Sequence, residues 1–233
     1  GLLEQDPFAT VDKIESIECR NNKTTECSFI KKQILISEGQ TVDNQKLDNS
    51  RIRLKLLGLF KQVNLLLEKG SSKGHVKLVI DVQEDFHLYT VTGITAGVNL
   101  SEIKNSDVFG RADLTVGYRN LYGTGKNISA SLSTYAKDSY SGAVGSALLR
   151  YNDPNLLGSK KWFFNIDLFS EIDRRGSLKQ DDYLASFEVG KRFGRFSYWT
   201  LGTVSQFSKD ERQNSLSDGF KYRQHYSVGY GYN

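Results

Sequence analysis

The sequence predicts a small α+β domain of order β-α-α-β-β, followed by antiparallel strands of the transmembrane β-barrel type, about eight in number. Three observations lead there. Apolar residues recur at helical spacing in two stretches before Gly58. From Phe86 onward that spacing is replaced by alternation of apolar and polar residues, the period of a strand. The connections after Phe86 are also of two kinds: NLYGTGK, DPNLLGSK and KRFGRF are short, whereas SEIKNSD, DRRGSLKQD and SKDERQNSLSDG are longer and polar.

Composition narrows the function classes. The 233 residues allow one large or two small domains, and the formal net charge is +4. Charged residues of both signs are mixed, so no basic arm points to nucleic acid. No apolar run approaches the ~20 residues of a membrane helix. Barrel strands are short and alternating, so this does not argue for a water-soluble protein. The 12 Tyr, 13 Phe and 21 Gly against 2 Pro suit long strands with tight turns. No signal peptide is read; for an exported protein Gly1 lies beyond a cleavage site or marks a boundary of the segment.

Residues 1–10 read as a tail and residues 11–85 as the α+β domain. Residues 11–19 form its first strand, with Ile14 and Ile17 as core anchors. Cys19 and Cys27 flank a polar turn and read as a disulfide that adds roughly 2–3 kcal/mol and implies an oxidising compartment. Two free thiols in a reducing cytosol are the alternative. A metal site lacks further ligands. Ser28 caps a helix over SFIKKQILI, with Ile30, Ile34 and Leu35 on one side, and Gly39 ends it. Asp43 caps a second helix running to about Leu57; Leu47, Leu54 and Leu57 fall at helical spacing, and Ile52 and Leu56 widen the stripe. After Gly58 come a strand over 60–68, the turn KGSSKG and a strand over 75–82. In the latter Val76, Leu78, Ile80 and Val82 face the core, and His75, Lys77 and Asp81 face out.

Residues 86–233 carry the alternating strands. The first, 87–100, has Leu88, Ile94, Ala96, Val98 and Leu100 on one face. Residues 110–135 form a hairpin around Gly123 and Gly125. Ala112, Leu114, Val116 and Tyr118 oppose Arg111, Asp113, Thr115, Gly117 and Arg119; then Ile128, Ala130, Leu132 and Ala136 oppose Asn127, Ser129, Ser131 and Ser133. Alone, this hairpin suits either a soluble sandwich or a membrane barrel. Further strands follow. Residues 141–152 have Ala143, Ala147, Leu149 and Tyr151 outward, and 161–172 have Trp162, Phe164, Ile166 and Leu168. Residues 182–192 have Tyr183, Ala185, Phe187 and Val189, and 195–208 have Trp199, Leu201 and Phe207. The last, 219–233, sets Tyr222, Tyr226, Val228, Tyr230 and Tyr232 against Arg223, His225, Ser227 and Asn233. Trp and Tyr at strand ends beside charge on the other face favour lipid on the apolar side. The opposite side is then a lumen bearing Arg111, Asp113, Arg119, Arg150, Asp167, Glu171, Glu188, Arg192 and Arg223.

EGQTVD, then RLKLLGLFKQV, then HVKLVIDVQED resembles a POTRA domain, the periplasmic module of outer-membrane insertion and secretion barrels. The LGLF turn, with Gly58 and Phe60, and the closing V-x-E are its most specific marks; the cysteine pair is a local addition. GRADLTVGYRNLYGTGKNISASLS and YNDPNLLGS are similar to the opening barrel strands of the BamA/TamA/FhaC superfamily, where a POTRA domain leads directly into such strands. The resemblance implies about 16 strands, within the range such barrels span, and an Arg-bearing loop in the later strands that is not found here. The chain is therefore a fragment of a larger barrel, a half-barrel completed by a second copy, or a closed eight-stranded barrel. These charges would crowd so narrow a lumen, which favours the first two.

The implied function is insertion or translocation of client proteins at the bacterial outer membrane, with the α+β domain in the periplasm. The implied partners are outer-membrane lipid and an unfolded client polypeptide, with a second copy in the half-barrel alternative. If the strand order follows the family, Gln62, Val63, Asn64, Leu65, Leu66, Leu67 and Glu68 form the sheet edge that captures a client strand. The strand at 87–100, with Thr90, Thr92, Gly93, Thr95 and Gly97, is then a weakly paired gate. No catalytic, cofactor or metal residues are read. His75, His87 and His225 lack a nucleophile partner and read as surface or lumen residues. GTGK at 123–126 lacks the upstream Gly and the Ser/Thr of a phosphate loop. Rival readings are a passive channel or structural barrel, and the membrane anchor of an enzyme whose catalytic domain lies outside this chain.

Overall fold

A computed structural model describes residues 12–99, 107–137, 141–176, 179–193, 197–210 and 219–232. The expected tail, Val11, Leu100 and Asn233 lie outside the described residues. The chain divides into two units, Gly1–His87 with Tyr122–Gly125, and Leu88–Leu121 with Lys126–Asn233.

The first unit runs β1 (Lys13–Arg20), α1 (Cys27–Gln33), α2 (Asn44–Leu56), β2 (Phe60–Lys69) and β3 (His75–Glu84), the predicted order. β3 lies between β1, which is parallel to it, and β2, which is antiparallel. Its Leu78, Ile80 and Val82 alternate onto one face and join Ile14, Ile17, Phe29, Ile30 and Leu54 in a single core. Cys19 and Cys27 are disulfide-bonded, with Cα atoms 5.7 Å apart.

The two helices show where tertiary packing departs from the sequence pattern. α1 starts at Cys27, with Glu26 at the cap position, and makes no side-chain cap. Ser28 instead donates its hydroxyl to the Glu26 carboxylate. The helix stops after Gln33 rather than at Gly39. Ile34 and Ile36 are both buried, which an extended chain allows and a helix does not, because residues two apart point to opposite sides of a helix. Ser50 Oγ accepts the freed Leu35 N–H at 2.9 Å. In α2, Asp43 Oδ1 accepts from Lys46 N at 3.0 Å, the expected cap. Ile52 and Leu56 do not widen the core stripe. At about 100° per residue each points roughly 160° away from buried Leu54, and they are 51% and 79% exposed. His87 is buried, not on a surface.

The second unit is one eight-stranded antiparallel sheet: β4 (Leu88–Asn99), β5 (Asp107–Leu121), β6 (Lys126–Lys137), β7 (Ala143–Asp153), β8 (Trp162–Asp173), β9 (Gln180–Phe193), β10 (Ser197–Asp210) and β11 (Gly219–Tyr232). Each strand pairs with its sequence neighbours, leaving β4 and β11 at the edges. Among the described residues no ladder joins those edges, so the self-closed eight-stranded barrel is not the observed arrangement. At the β5–β6 turn Asn120, Tyr122, Gly123 and Gly125 all take positive φ, which the two glycines do without strain.

Among the described residues no second sheet of this unit faces this one, so the observed arrangement is not a sandwich. The apolar face is the uncovered one: Leu114, Val116 and Leu132 are exposed, whereas Asp113, Ser131 and Ser133 between them are half-buried. Phe163 is the one buried hydrophobic residue of the sheet among the described residues. An uncovered apolar face spanning eight strands has no stable place in water and requires an apolar phase around it. Aromatic rings gather at both ends of that face, Phe207 meeting Tyr222 at 4.8 Å at one of them and two pairs lying at the other. Trp162 meets Trp199 edge-on at 5.8 Å, and Phe193 meets Tyr230 at 6.0 Å, a placement suited to a membrane interface. No described helix is long and apolar enough to cross a membrane.

Candidate functional site

β2 is an edge strand of the small sheet. The other edge, β1, is partly closed: Ile14 N donates to Gln40 O at 2.9 Å, Gly39 N to Ile14 O at 2.7 Å, and Ile17 N to Glu38 Oε1 at 3.1 Å. On β2, Gly70 N donates to His75 O at 2.9 Å. Antiparallel alternation from that pair turns the N–H groups of Gln62, Asn64, Leu66 and Glu68 toward β3, and those of Val63, Leu65 and Leu67 away from it. The side chains divide too. Val63 is core, Leu65 packs against the core, and Leu66 and Leu67 are exposed at the edge. Leu65, Leu66 and Leu67 also line a groove with Leu47, Asp48 and Arg51 of α2. Glu68 is tied back across the sheet, its carboxylate accepting both Arg20 guanidinium bonds at 2.6 and 2.9 Å. Those bonds hold Glu68 below its ordinary pKa.

The end of β3 is fixed to the disulfide loop. Glu84 accepts from Thr24 N at 3.0 Å and Thr25 N at 2.6 Å. Partial burial pushes this carboxyl up, but the Thr25 and Thr24 hydrogen bonds outweigh it and leave the pKa lowered.

The residues read as a lumen share the polar face of the large sheet, in local clusters rather than one convergent site. Asp113 receives Arg111 Nε at 2.9 Å and the Ser133 hydroxyl. Arg150 grips Asp167 at 2.9 and 3.2 Å. Asn165 Nδ2 donates to Glu188 at 2.8 Å. Arg119 lies 4.6 Å above the Tyr89 ring, and Arg223 stands in register with Gln206. Two features of this face were not read from the sequence. Leu148, Phe169 and Leu184 pair in a row across β7, β8 and β9, an apolar strip amid polar neighbours. Aromatic side chains also reach over glycines directly opposite: Tyr89 over Gly117, Phe109 over Gly97, Phe163 over Gly190 and Tyr198 over Gly231. Register alone reveals these pairs.

On edge strand β4 the expected gate residues divide. Thr90 and Thr92 lie on the apolar face opposite Val116 and Leu114, and Gly93, Thr95 and Gly97 lie on the polar face opposite Asp113, Arg111 and Phe109. A Cβ on Gly97 would come within 2.7 Å of the Phe109 ring, whereas one on Gly93 would make ordinary contact with Asp113 at 3.6 Å.

The POTRA sequence family, described as a surface antigen variable number repeat, matches residues 13–85. Among solved structures, the fold is similar to BamA from Haemophilus ducreyi lacking POTRA domains 1-3 (TM-score 0.68, 15% identity). It is similar also to CdiB from Acinetobacter baumannii (0.69, 13%) and CdiB from Escherichia coli (0.61, 12%). Each match covers 95% of this chain but only 44%, 42% and 42% of those chains, so the sequence spans less than half their length. No curated protein matches the sequence. Residues 13–85 therefore match the POTRA family, and they are joined to an open antiparallel sheet similar in fold to part of BamA and CdiB.

Proposed function

We propose that this chain belongs to an outer-membrane insertase or translocase, with the POTRA domain in the periplasm binding an extended segment of an unfolded client along β2. The observation that carries the reading is the asymmetry of the small sheet, one edge partly closed by residues 38–42 and the other presenting outward N–H groups at Val63, Leu65 and Leu67. Backbone pairing along such an edge tolerates many client sequences. The disulfide fits an oxidising compartment, and the polar face suits a hydrated wall. In lipid the edges β4 and β11 need partners, since each unpaired backbone group costs several kcal/mol. Strands from outside these 233 residues, in a longer chain or a second copy, supply them. Particle mass in detergent separates those two sources.

Leu67→Pro tests the reading. It removes one outward N–H and leaves the β2–β3 ladder intact. The lost hydrogen bond and the blocked alignment together should weaken binding of an unfolded outer-membrane client by about tenfold. Asn64→Ala, which alters an exposed side chain and no backbone group, should leave it unchanged. Equal effects of both, or ion conductance in vesicles with no client binding at all, would refute it in favour of a passive barrel.

A further inference from the structure

The end of the POTRA domain that leads into β4 carries exposed apolar residues and two lysines that the client-binding edge does not use. Leu56, at the last turn of α2, is 79% exposed, and Phe86 is 80% exposed. Asp85 N donates to Leu59 O at 2.8 Å, which brings the segment after α2 to the start of the linker. Lys61 bridges the same place, its Nζ 3.7 Å from the Asp85 carboxylate and 4.8 Å from the centre of the Phe86 ring. Lys55 is exposed beside Leu56, and Ile52 extends the apolar side one turn back. The acids here are already engaged: Asp85 by Lys61, and Glu84 by the Thr24 and Thr25 N–H groups. Lys55 makes no ion pair among the described residues, and Lys61 is shared with Asp85.

We propose that Leu56 and Phe86, flanked by Lys55 and Lys61, form an interfacial anchor that docks on anionic phospholipid headgroups of the periplasmic leaflet. The inference rests on the membrane reading of the large sheet. Only Asp85, Phe86 and His87 separate β3 from β4. A linker of that length reaches no more than about 10 Å, so Phe86 lies within that reach of the first residue of β4. An exposed leucine by itself is ordinary. An exposed leucine and phenylalanine with two lysines, tethered this close to β4, match the chemistry of interfacial anchoring, in which rings and aliphatic side chains enter the headgroup region and lysines meet anionic lipid. Anchoring would restrict how the domain tilts and hence how β2 is presented to a client.

The test uses the whole chain, reconstituted in phosphatidylethanolamine vesicles with or without one third phosphatidylglycerol and a quencher on a headgroup. The described native chain has no free cysteine, so a fluorophore can be placed at Ile52→Cys, one turn from Leu56, or at Lys73→Cys in the β2–β3 turn at the far end of the strands. Quenching should be several-fold stronger at position 52 than at 73, should need phosphatidylglycerol, and should fall on the order of tenfold in Lys55→Glu/Lys61→Glu. Leu56→Ser/Phe86→Ser should abolish it without changing the melting of the helices. No quenching at position 52, equal quenching at both positions, or indifference to the lysines and to phosphatidylglycerol would overturn the anchor. A chain that fails to float with the vesicles would instead overturn the membrane reading.

Discussion

Gly190 offers the most exacting check on the large sheet. A Cβ there would lie 2.0 Å from the Phe163 ring directly across the strand pair. To regain van der Waals distance the ring must move by more than about 1 Å. It has little room: Phe163 is 9% exposed, the Tyr198 ring packs edge-on at 5.6 Å, and the Arg192 guanidinium lies 4.9 Å above it. Gly190→Ala should therefore destabilise the sheet by about 1–3 kcal/mol through overpacking, with a further loss of up to about 1 kcal/mol as the ring and cation contacts loosen. Gly145→Ala on β7 is the control. Nothing lies within 4 Å of its Cβ, and removing a strand glycine should gain about 0.5–1 kcal/mol. The assay is urea unfolding in phospholipid vesicles, followed by the change in gel mobility. In a Phe163→Ala background, itself costing about 3 kcal/mol, the Gly190→Ala penalty should vanish, giving a coupling energy of about 1–3 kcal/mol. If Gly190→Ala behaves like Gly145→Ala, or its penalty survives without the Phe163 ring, then the β8–β9 register or the facing of these side chains is wrong.

Three further outcomes concern the POTRA domain, whose α1 and α2 supply the helical circular dichroism of the described residues. Glu84 has a folded pKa below its ordinary value. Its stabilisation is therefore present above the unfolded value of about 4.3 and is lost as pH falls through the lower folded value. Wild-type melting temperature should drop below about pH 4, and Glu84→Gln should cost about 1 kcal/mol at neutral pH and flatten part of that acid limb. Cys19→Ser/Cys27→Ser should cost about 2–3 kcal/mol in urea titrations, with an unchanged spectrum in water. Leu54→Ala, at a site with 0% exposure, should cost about 2–5 kcal/mol, while Ile52→Ala two residues earlier should stay within about 0.5 kcal/mol.

What could be read from the sequence was what local chemistry decides. Asp43 followed by a helix-forming stretch marks a cap wherever it occurs, and alternation from Ala112 to Leu132 fixes the faces of a hairpin whichever solvent meets them. The end of α1 could not be read, because Ile34 and Ile36 both enter the core only if the chain leaves the helix, and that depends on Ser50 of another helix being there to take the Leu35 N–H. The exposure of Ile52 and Leu56 is not legible locally for a related reason: a leucine-rich helix offers two apolar sides, and only the sheet decides which is buried.

Cross-strand register was the larger blind spot, and it changes the reading of β4. Gly93 and Gly97 look equivalent in sequence, two glycines that weaken a strand. Opposite Phe109, Gly97 is the space into which a ring lies, and filling it disrupts the ladder by collision rather than strengthening it. Gly93 has no such occupant, only Asp113 at ordinary contact distance. A gate that opens at β4 because its pairing is weak must then depend on Gly93 and the threonines beside it. Gly93→Val is the substitution that should stiffen the edge and slow client insertion. Insertion unchanged by Gly93→Val would remove weak pairing as the basis of a gate, whereas a defect in Gly97→Val would say only that Phe109 had been displaced.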